Sequence, residues 1–295
     1  MKLAALFFVS LTTLAFGSLR APPCVACGTS PRAAAASFTV LSYNVHGLAS
    51  ILVDDDPEAR MPRISSRLNA YDVALLQESW TYAEGLASLA THPVKERSGS
   101  ASPGMLFQSG LATFARPRLR AVTRAPLGAC AGWLGGANDC LASKGFLRVR
   151  LELASGVEVD FWNLHLDAGG DESDRAARAV QLDRLAAKVR EISRDGALVI
   201  AGDFNLHESN AADRALLARF ASGLALVDSG ARASADGAFA GKRIDFILYR
   251  GGAGLALEPL EVGEAREFYD GPTPQSDHPA LFARFGVNGV EVSGP

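Results

Sequence analysis

The chain has 295 residues, 48% hydrophobic and 21% charged. That is a globular composition, at a size that buries a core without staples, and it excludes a disordered or fibrous class. Its 29 bases and 32 acids leave a net charge of −3, which excludes a general electrostatic pull on nucleic acid.

Met1-Lys2, the mostly apolar run Leu3 to Phe16 and the small residues Gly17, Ser18 and Ala21 have the layout of a secretory signal peptide. The run is too short for a comfortable membrane span. We expect residues 1–21 to be a signal peptide, 22–36 a Cys/Ala/Pro-containing tether, 37–287 one domain and 288–295 a tail. The protein is then secreted or periplasmic, an uncleaved anchor being the other reading. Losing the leader removes Lys2 and Arg20 and no acid, so the exported chain is more acidic still. Cys24 and Cys27 form a Cys-x-x-Cys beside the leader. A redox pair, a small disulfide or lipid attachment at Cys24 stay open, although Ala21-Pro22-Pro23 matches a lipoprotein processing site poorly.

In chain order, Phe38 to Tyr43 reads as a strand. Pro57 to Asn69 reads as a helix, with Asp56 as N-cap and Met61, Ile64 and Leu68 on one stripe. Val73 to Leu76 is a short apolar run that suits a buried strand. Cys130 and Cys140 lie ten apart across a Gly-rich stretch and, in an exported chain, read as a local disulfide. Phe146 to Leu153 alternates apolar with mostly charged residues and predicts a strand with one wet face. Ser155-Gly156 turns it into a partner strand, Val157 to Leu164. Ser173 to Arg194 is the strongest helix, with Leu182, Leu185, Val189 and Ile192 at helical spacing and Asp195-Gly196 as its stop. Ala197 to Ala201, Ile244 to Tyr249 and Leu281 to Phe285 complete a set of mixed α/β type.

Chemistry-bearing residues crowd where these strands end: Asn44, Glu78, His165, Asp203, Asn205, Asp245 and the pair Asp277-His278. Singly, each reads as a cap, a turn residue or a satisfied polar group. Together they suit one site, because strand ends in α/β architectures open on a common side. Mg2+ or a similar hard cation wants carboxylate and amide oxygens, for which Glu78, Asn44 and Asp277 are candidates. In-line attack by water on a phosphate ester needs a base. His278 meets that need near neutral pH, with Asp245 to orient it. Asn205 and His165 can donate to the developing charge, and Asp203 can hold the attacking water or the leaving oxygen.

These motifs resemble the endonuclease/exonuclease/phosphatase superfamily, which has the deoxyribonuclease I fold. They are Ser42-Tyr43-Asn44-Val45, Leu75-Leu76-Gln77-Glu78, Asn163-Leu164-His165-Leu166, Gly202-Asp203-Phe204-Asn205, Arg243-Ile244-Asp245-Phe246 and Ser276-Asp277-His278-Pro279. Each tetrapeptide is weak alone; six in the family's order are strong. The resemblance implies a four-layer α/β sandwich of two packed mixed sheets flanked by helices. It also implies Glu78 and Asn44 at a Mg2+ site (Mn2+ or another divalent cation being the alternative), an Asp245-His278 pair, and Asp203 and Asn205 around the phosphate.

Ser143-Lys144-Gly145-Phe146 is similar to a Lys-Gly segment of neutral sphingomyelinases, where the resemblance implies that Lys144 contacts phosphate. An exposed strand-start lysine is the alternative. The aromatic, apolar hairpin of the secreted bacterial enzymes is missing, since Glu261 to Ser276 is short and polar with only Phe268 and Tyr269 as aromatics. Trp133 is a lone substitute contact, so at most peripheral membrane contact is expected. The sequence points to a phosphodiester substrate, a phospholipid slightly ahead of nucleic acid, and to no obligate protein partner. A secreted nuclease remains the rival, with Arg116, Arg118, Arg120 and Arg124 either lining a groove or forming a solvated face. A non-catalytic binding module that kept the fold is the reading from another class.

Overall fold

The apolar runs become the central strands of two mixed sheets. The computed structural model describes residues 36–53, 56–132, 139–235, 239, 243–252 and 254–289. The expected leader and nearly all of the tether, with Cys24 and Cys27, lie outside the described residues, as does Trp133.

The chain runs β1 (Ala36–Asn44), α1 (Pro57–Arg67), β2 (Val73–Gln77), α2 (Ala83–Ala87), β3 (Val94–Arg97) and β4 (Ala112–Ala115). It continues through β5 (Arg118–Pro126), β6 (Gly145–Ala154), β7 (Val157–His165), α3 (Glu172–Ile192), β8 (Leu198–Asp203), α4 (Ala211–Gly223), β9 (Val227–Asp228), α5 (Ala231–Ala235) and β10 (Asp245–Arg250). It closes with β11 (Leu255–Glu264), the small hairpin β12 (Tyr269–Asp270) and β13 (Thr273–Pro274), and β14 (Leu281–Gly289). One six-stranded sheet has the order β11-β14-β1-β2-β4-β3 and the other β5-β6-β7-β8-β10-β9. The pairs β1-β2 and β7-β8 are parallel and the other named pairs antiparallel.

Three apolar clusters define the four layers of the α/β sandwich. Phe38, Val40, Leu75, Val149, Phe161 and Val199 fill the space between the sheets. Leu182, Leu185 and Val189 of α3 pack on Trp162, Ile200 and Phe246 of the second sheet. Met61, Ile64 and Leu68 pack on Tyr43, Leu76 and Phe114 of the first. The stripes read from the sequence are therefore the buried helix faces. Helix α1 starts at Pro57 with Asp56 accepting from the Ala59 amide, and gives way to a 3-10 turn at Leu68–Ala70. Helix α3 starts in a capping box between Asp171 and Asp174.

One local expectation is overturned. Strand β6 does not have a wet face along its length, because α3 covers that side of the sheet. Phe146 is buried against Trp162, and Arg148 is buried in an ion pair with Asp160. Only toward the β6–β7 turn do alternate side chains reach solvent.

Near the site, the filling between the sheets changes from apolar to amide. Asn163 of β7 donates to the carbonyls of Leu76 and Ala112, each at 2.9 Å, and accepts from the Gln77 amide at 2.8 Å. Both side chains are fully buried. These bonds fix one sheet against the other at the level where the site begins. Asn163→Ala removes all three and strands two carbonyls and an amide away from water. We expect a loss of about 2–4 kcal/mol in urea denaturation; a loss under ~0.5 kcal/mol, the size of an ordinary surface substitution, would show that the amides do not hold the sheets together.

Candidate active site

The register of the strands brings the chemistry together. Asn44 ends β1 opposite Gln77 of β2, His165 ends β7 opposite Asp203 of β8, and Asp203 lies opposite Asp245 of β10. Gly202 lets β8 come close to β7 here: a Cβ on it would meet the Leu164 carbonyl at 2.0 Å. Asp277 and His278 arrive from the segment before β14, where the Ser276 hydroxyl donates to the Asn44 carbonyl at 2.7 Å.

At the centre is the Asn44 side chain. Its Nδ2 donates to Glu78 Oε1 and to Asp203 Oδ2, each at 3.1 Å, and lies 3.5 Å from His278 Nε2. Its Oδ1 accepts the His46 backbone amide at 3.0 Å. The amide therefore presents a donor to the carboxylates, and its oxygen, the atom expected at the metal, is engaged elsewhere. His278 Nδ1 meets Asp245 Oδ2 at 2.8 Å and His278 Nε2 lies 3.6 Å from Asp203 Oδ2. Lys144 is buried, and its Nζ lies 3.2 Å from His165 Nε2. His165 Nε2 is in turn 3.6 Å from Asp203 and 3.9 Å from Glu78. Asn205 donates its backbone amide to Asp203 Oδ1 at 2.8 Å and one side-chain hydrogen to the Leu166 carbonyl. Every site residue expected from the sequence is thus in or against one constellation.

The Lys144 side is braced from outside. Cys130 and Cys140 are joined in a disulfide. The Ala131 amide donates to Asp167 Oδ2, and Gln181 of α3 donates to the Ala129 carbonyl. Arg178, fully buried, donates to the carbonyls of Asp167, Ala168 and Gly169.

His46 was not singled out in the sequence. Its Nδ1 lies 3.3 Å from Asp277 Oδ1 and 3.8 Å from Glu78 Oε2. The available signal was a histidine two residues past a strand-terminal Asn and just before a glycine. Backbone strain marks the same place. Among the described residues, non-glycine residues at positive φ are His46 (49°), Glu78 (57°), Asn205 (50°) and Ala225 (54°). Three of these four belong to the site, and each such conformer costs about 1–3 kcal/mol.

Burial and mutual charge set the protonation states. Burial raises the Glu78 carboxyl. It also raises Asp203, to about 6, with Asp245 adding to the effect. Burial with Lys144 and His278 nearby pushes His165 well below the usual imidazole range, so its ring is neutral. For His278 burial alone would lower the ring, but Asp245, with Asp203 and Asp277, raises it to about 10. Such a group of acids suits a divalent cation. Glu78 Oε2 is buried without a hydrogen-bond partner, as a ligand oxygen would be. The ligand atoms of Asp203, Asp245 and His278 also lie within 4.8 Å of one another. There, however, Asp245 and His278 are hydrogen-bonded to each other, which makes Glu78 the better anchor. Beside the dyad opens a cleft of about 430 Å3 lined by Arg243, Glu264, Arg266, Tyr269, Asp277 and His278, among others.

The profile of the Endonuclease/Exonuclease/phosphatase family matches residues 41–278. A protein named sphingomyelinase from Mycobacterium tuberculosis (strain ATCC 25618 / H37Rv) is 29% identical over 266 residues, covering 82% of this chain and 51% of that protein. The chain therefore spans about half the length of the curated relatives it matches. Among solved structures, a mutant of beta toxin from Staphylococcus aureus with bound magnesium ions is similar, with a TM-score of 0.61, 17% identity, and coverage of 84% of this chain and 99% of that one. D. rerio TDP2 complexed with single strand DNA product has a TM-score of 0.63, 19% identity, and coverage of 85% and 99%.

The raised groups make a signed prediction for the cation-free protein. The folded state holds the His278 proton more tightly than the unfolded chain does. Its contribution is therefore full below about pH 6.5 and is lost as pH rises through about 10. Asp203 drains stability in the same direction at lower pH, as the pH passes from 3.8 to about 6. In chelator, we expect Tm to fall between pH 6.5 and 10, and the fall to shrink in Asp245→Asn. A Tm that held or rose over that window in the wild type would mean that His278 is not protonated there.

Proposed function

Because the chain belongs to the endonuclease/exonuclease/phosphatase family, we propose that it is an exported, Mg2+-dependent phosphodiesterase in which His278 activates water, with a phospholipid headgroup ester as the favoured substrate. The observation that carries this reading is the Asn44 amide, which ties Glu78 to Asp203 and lies within 3.5 Å of His278 Nε2. A cation anchor, a phosphate-side acid and a base thus meet around one group.

Glu78, with Asp277 beside it, would hold the cation. When bound, a divalent cation would polarise the phosphoryl oxygens and offset the acids that raise His278, leaving Nε2 able to accept a proton. Asp245 fixes the ring through Nδ1, so Nε2 faces the site, and it stabilises the imidazolium that forms when the water proton arrives. Asp203 aligns the attacking water or receives the leaving oxygen. Lys144, seated against His165, and the second amide hydrogen of Asn205 donate to the phosphate. No side chain in this set is asked to form a covalent intermediate.

Three observations support a lipid over a nucleic acid. The M. tuberculosis relative is named a sphingomyelinase. Lys144 sits inside the constellation instead of at an exposed strand start. The arginine run is committed within the chain: Arg118 and Arg120 pair with Glu152, Arg124 pairs with Glu96, and Arg116 donates to the Asn69 carbonyl. Arg118 also lies at the end of β5 opposite Glu152, whereas the site is at the Gly145 end. Membrane contact is peripheral in this reading. Phe268 is buried and the Tyr269 ring is covered by Arg266, so neither aromatic is offered to a bilayer. Among the described residues, no helix is long and apolar enough to cross a membrane. Export rests on the leader pattern of residues 1–21.

His278→Ala and Glu78→Ala should each lower turnover by at least roughly 10²–10⁴-fold with folding intact, and EDTA should abolish activity that Mg2+ restores. Near-normal turnover in either variant, or full activity in chelator, would remove the mechanism. The substrate is decided by assaying sphingomyelin, lysophospholipids and plasmid DNA side by side. Cleavage of DNA alone would move the protein to the nucleases, and no cleavage of any would favour a binding module. Lys144→Ala should impair lipid hydrolysis strongly, and an unchanged rate would remove the lysine from the phosphate.

A further inference from the structure

Where β1 ends, the chain is clamped against Glu78. The Gly47 amide donates to the Glu78 carbonyl at 3.0 Å, the Gly47 carbonyl accepts from Thr81, and a Cβ on Gly47 would meet the Glu78 carbonyl at 2.4 Å. His46, next in line, has both main-chain polar groups tied. Its amide donates to Asn44 Oδ1 and its carbonyl accepts from Arg60 at 2.7 Å. This network holds a non-glycine residue at a φ of 49°, a conformation that persists only where the surroundings over-determine it. The result is to aim Nδ1 at two carboxylates, Asp277 Oδ1 at 3.3 Å and Glu78 Oε2 at 3.8 Å. The second of these oxygens is buried without a hydrogen-bond partner.

We infer that His46 is a nitrogen donor to the cation held by Glu78 and Asp277, and that it shifts the site's preference from Mg2+ toward Mn2+, Co2+ or Zn2+. Mg2+ takes oxygen ligands and gains little from imidazole, whereas the later first-row cations bind it well. The inference rests on Glu78 as the anchor proposed above and is independent of the substrate. The plain alternative is a protonated His46 that only ion-pairs with Asp277, which would repel a cation.

The test is His46→Asn in the purified full chain. Asn tolerates this backbone conformation, so the loop should keep its path, and circular dichroism with Tm checks the fold. Calorimetric titration with Mn2+ and Mg2+ separately, and nitrogen hyperfine coupling in the spin-echo spectrum of bound Mn2+, read the site without turnover. We expect wild type to bind Mn2+ more tightly than Mg2+ and to show imidazole nitrogen coupling. In His46→Asn the coupling should disappear and Mn2+ affinity fall by roughly 10–100-fold, with Mg2+ affinity changed far less. His278→Ala should keep the coupling. A coupling that survives in His46→Asn, or an unchanged ratio of Mn2+ to Mg2+ affinity, overturns the inference while leaving the phosphodiesterase reading intact. Failure of wild type to bind either cation overturns the Glu78 anchor as well.

Discussion

The structure depends on one amide holding two acids from different sheets. Asn44 belongs to β1, Glu78 follows β2 in the same sheet, and Asp203 ends β8 in the other. Burial disfavours the charge on both carboxylates, and the Asn44 hydrogen bonds pull the other way. An apolar residue at position 44 would leave two buried acids facing each other without a donor, a costly arrangement in a low dielectric. The Gln77-Asn163 amides beneath it continue the theme. The sheets are joined by dispersion and apolar burial over most of their area and by directional bonds where the chemistry sits.

That arrangement trades stability for reactivity. Residues at positive φ and desolvated acids oppose folding of the empty site, and the stability that the protonated His278 contributes is lost as pH rises through about 10. The rest of the chain offsets this with three apolar layers, a capped α3 and the buried Arg178, which holds the loop after β7. The excess of negative potential is also the attraction a cation would meet, so the destabilising and functional features are one charge distribution.

Much of this was legible in the sequence, and the boundary of legibility is physical. Helices α1 and α3 and the strands carrying the motifs announce themselves by period and by turn residues, because their buried faces are continuous. Strands β3, β4, β5, β9 and β11 were not foreseen. Strands β3, β5 and β11 are sheet edges whose many half-exposed positions leave no clean alternation, and β4 and β9 are too short to show a period. Arg148 misled the reading of β6, since a charge in a strand predicts water unless a partner such as Asp160 is known to be buried beside it. The site residues were readable because they stand at strand ends in a familiar order. His46 was not, since its ring reaches the acids only through a left-handed backbone turn that no periodicity reports.

The pairing of β1 has a consequence for the chain while it is being made. Its first described residue, Ala36, lies opposite Val287, and Asp277 and His278 stand just before β14, the strand that makes this pairing. Synthesis runs from the amino end, so β1 must wait for almost the whole polypeptide before its second neighbour exists. Contacts this distant in sequence form late and slowly. A nascent chain thus lacks the Asp277-His278 segment, and the Ser276 bond that seats it against Asn44, until nearly the whole polypeptide has been made.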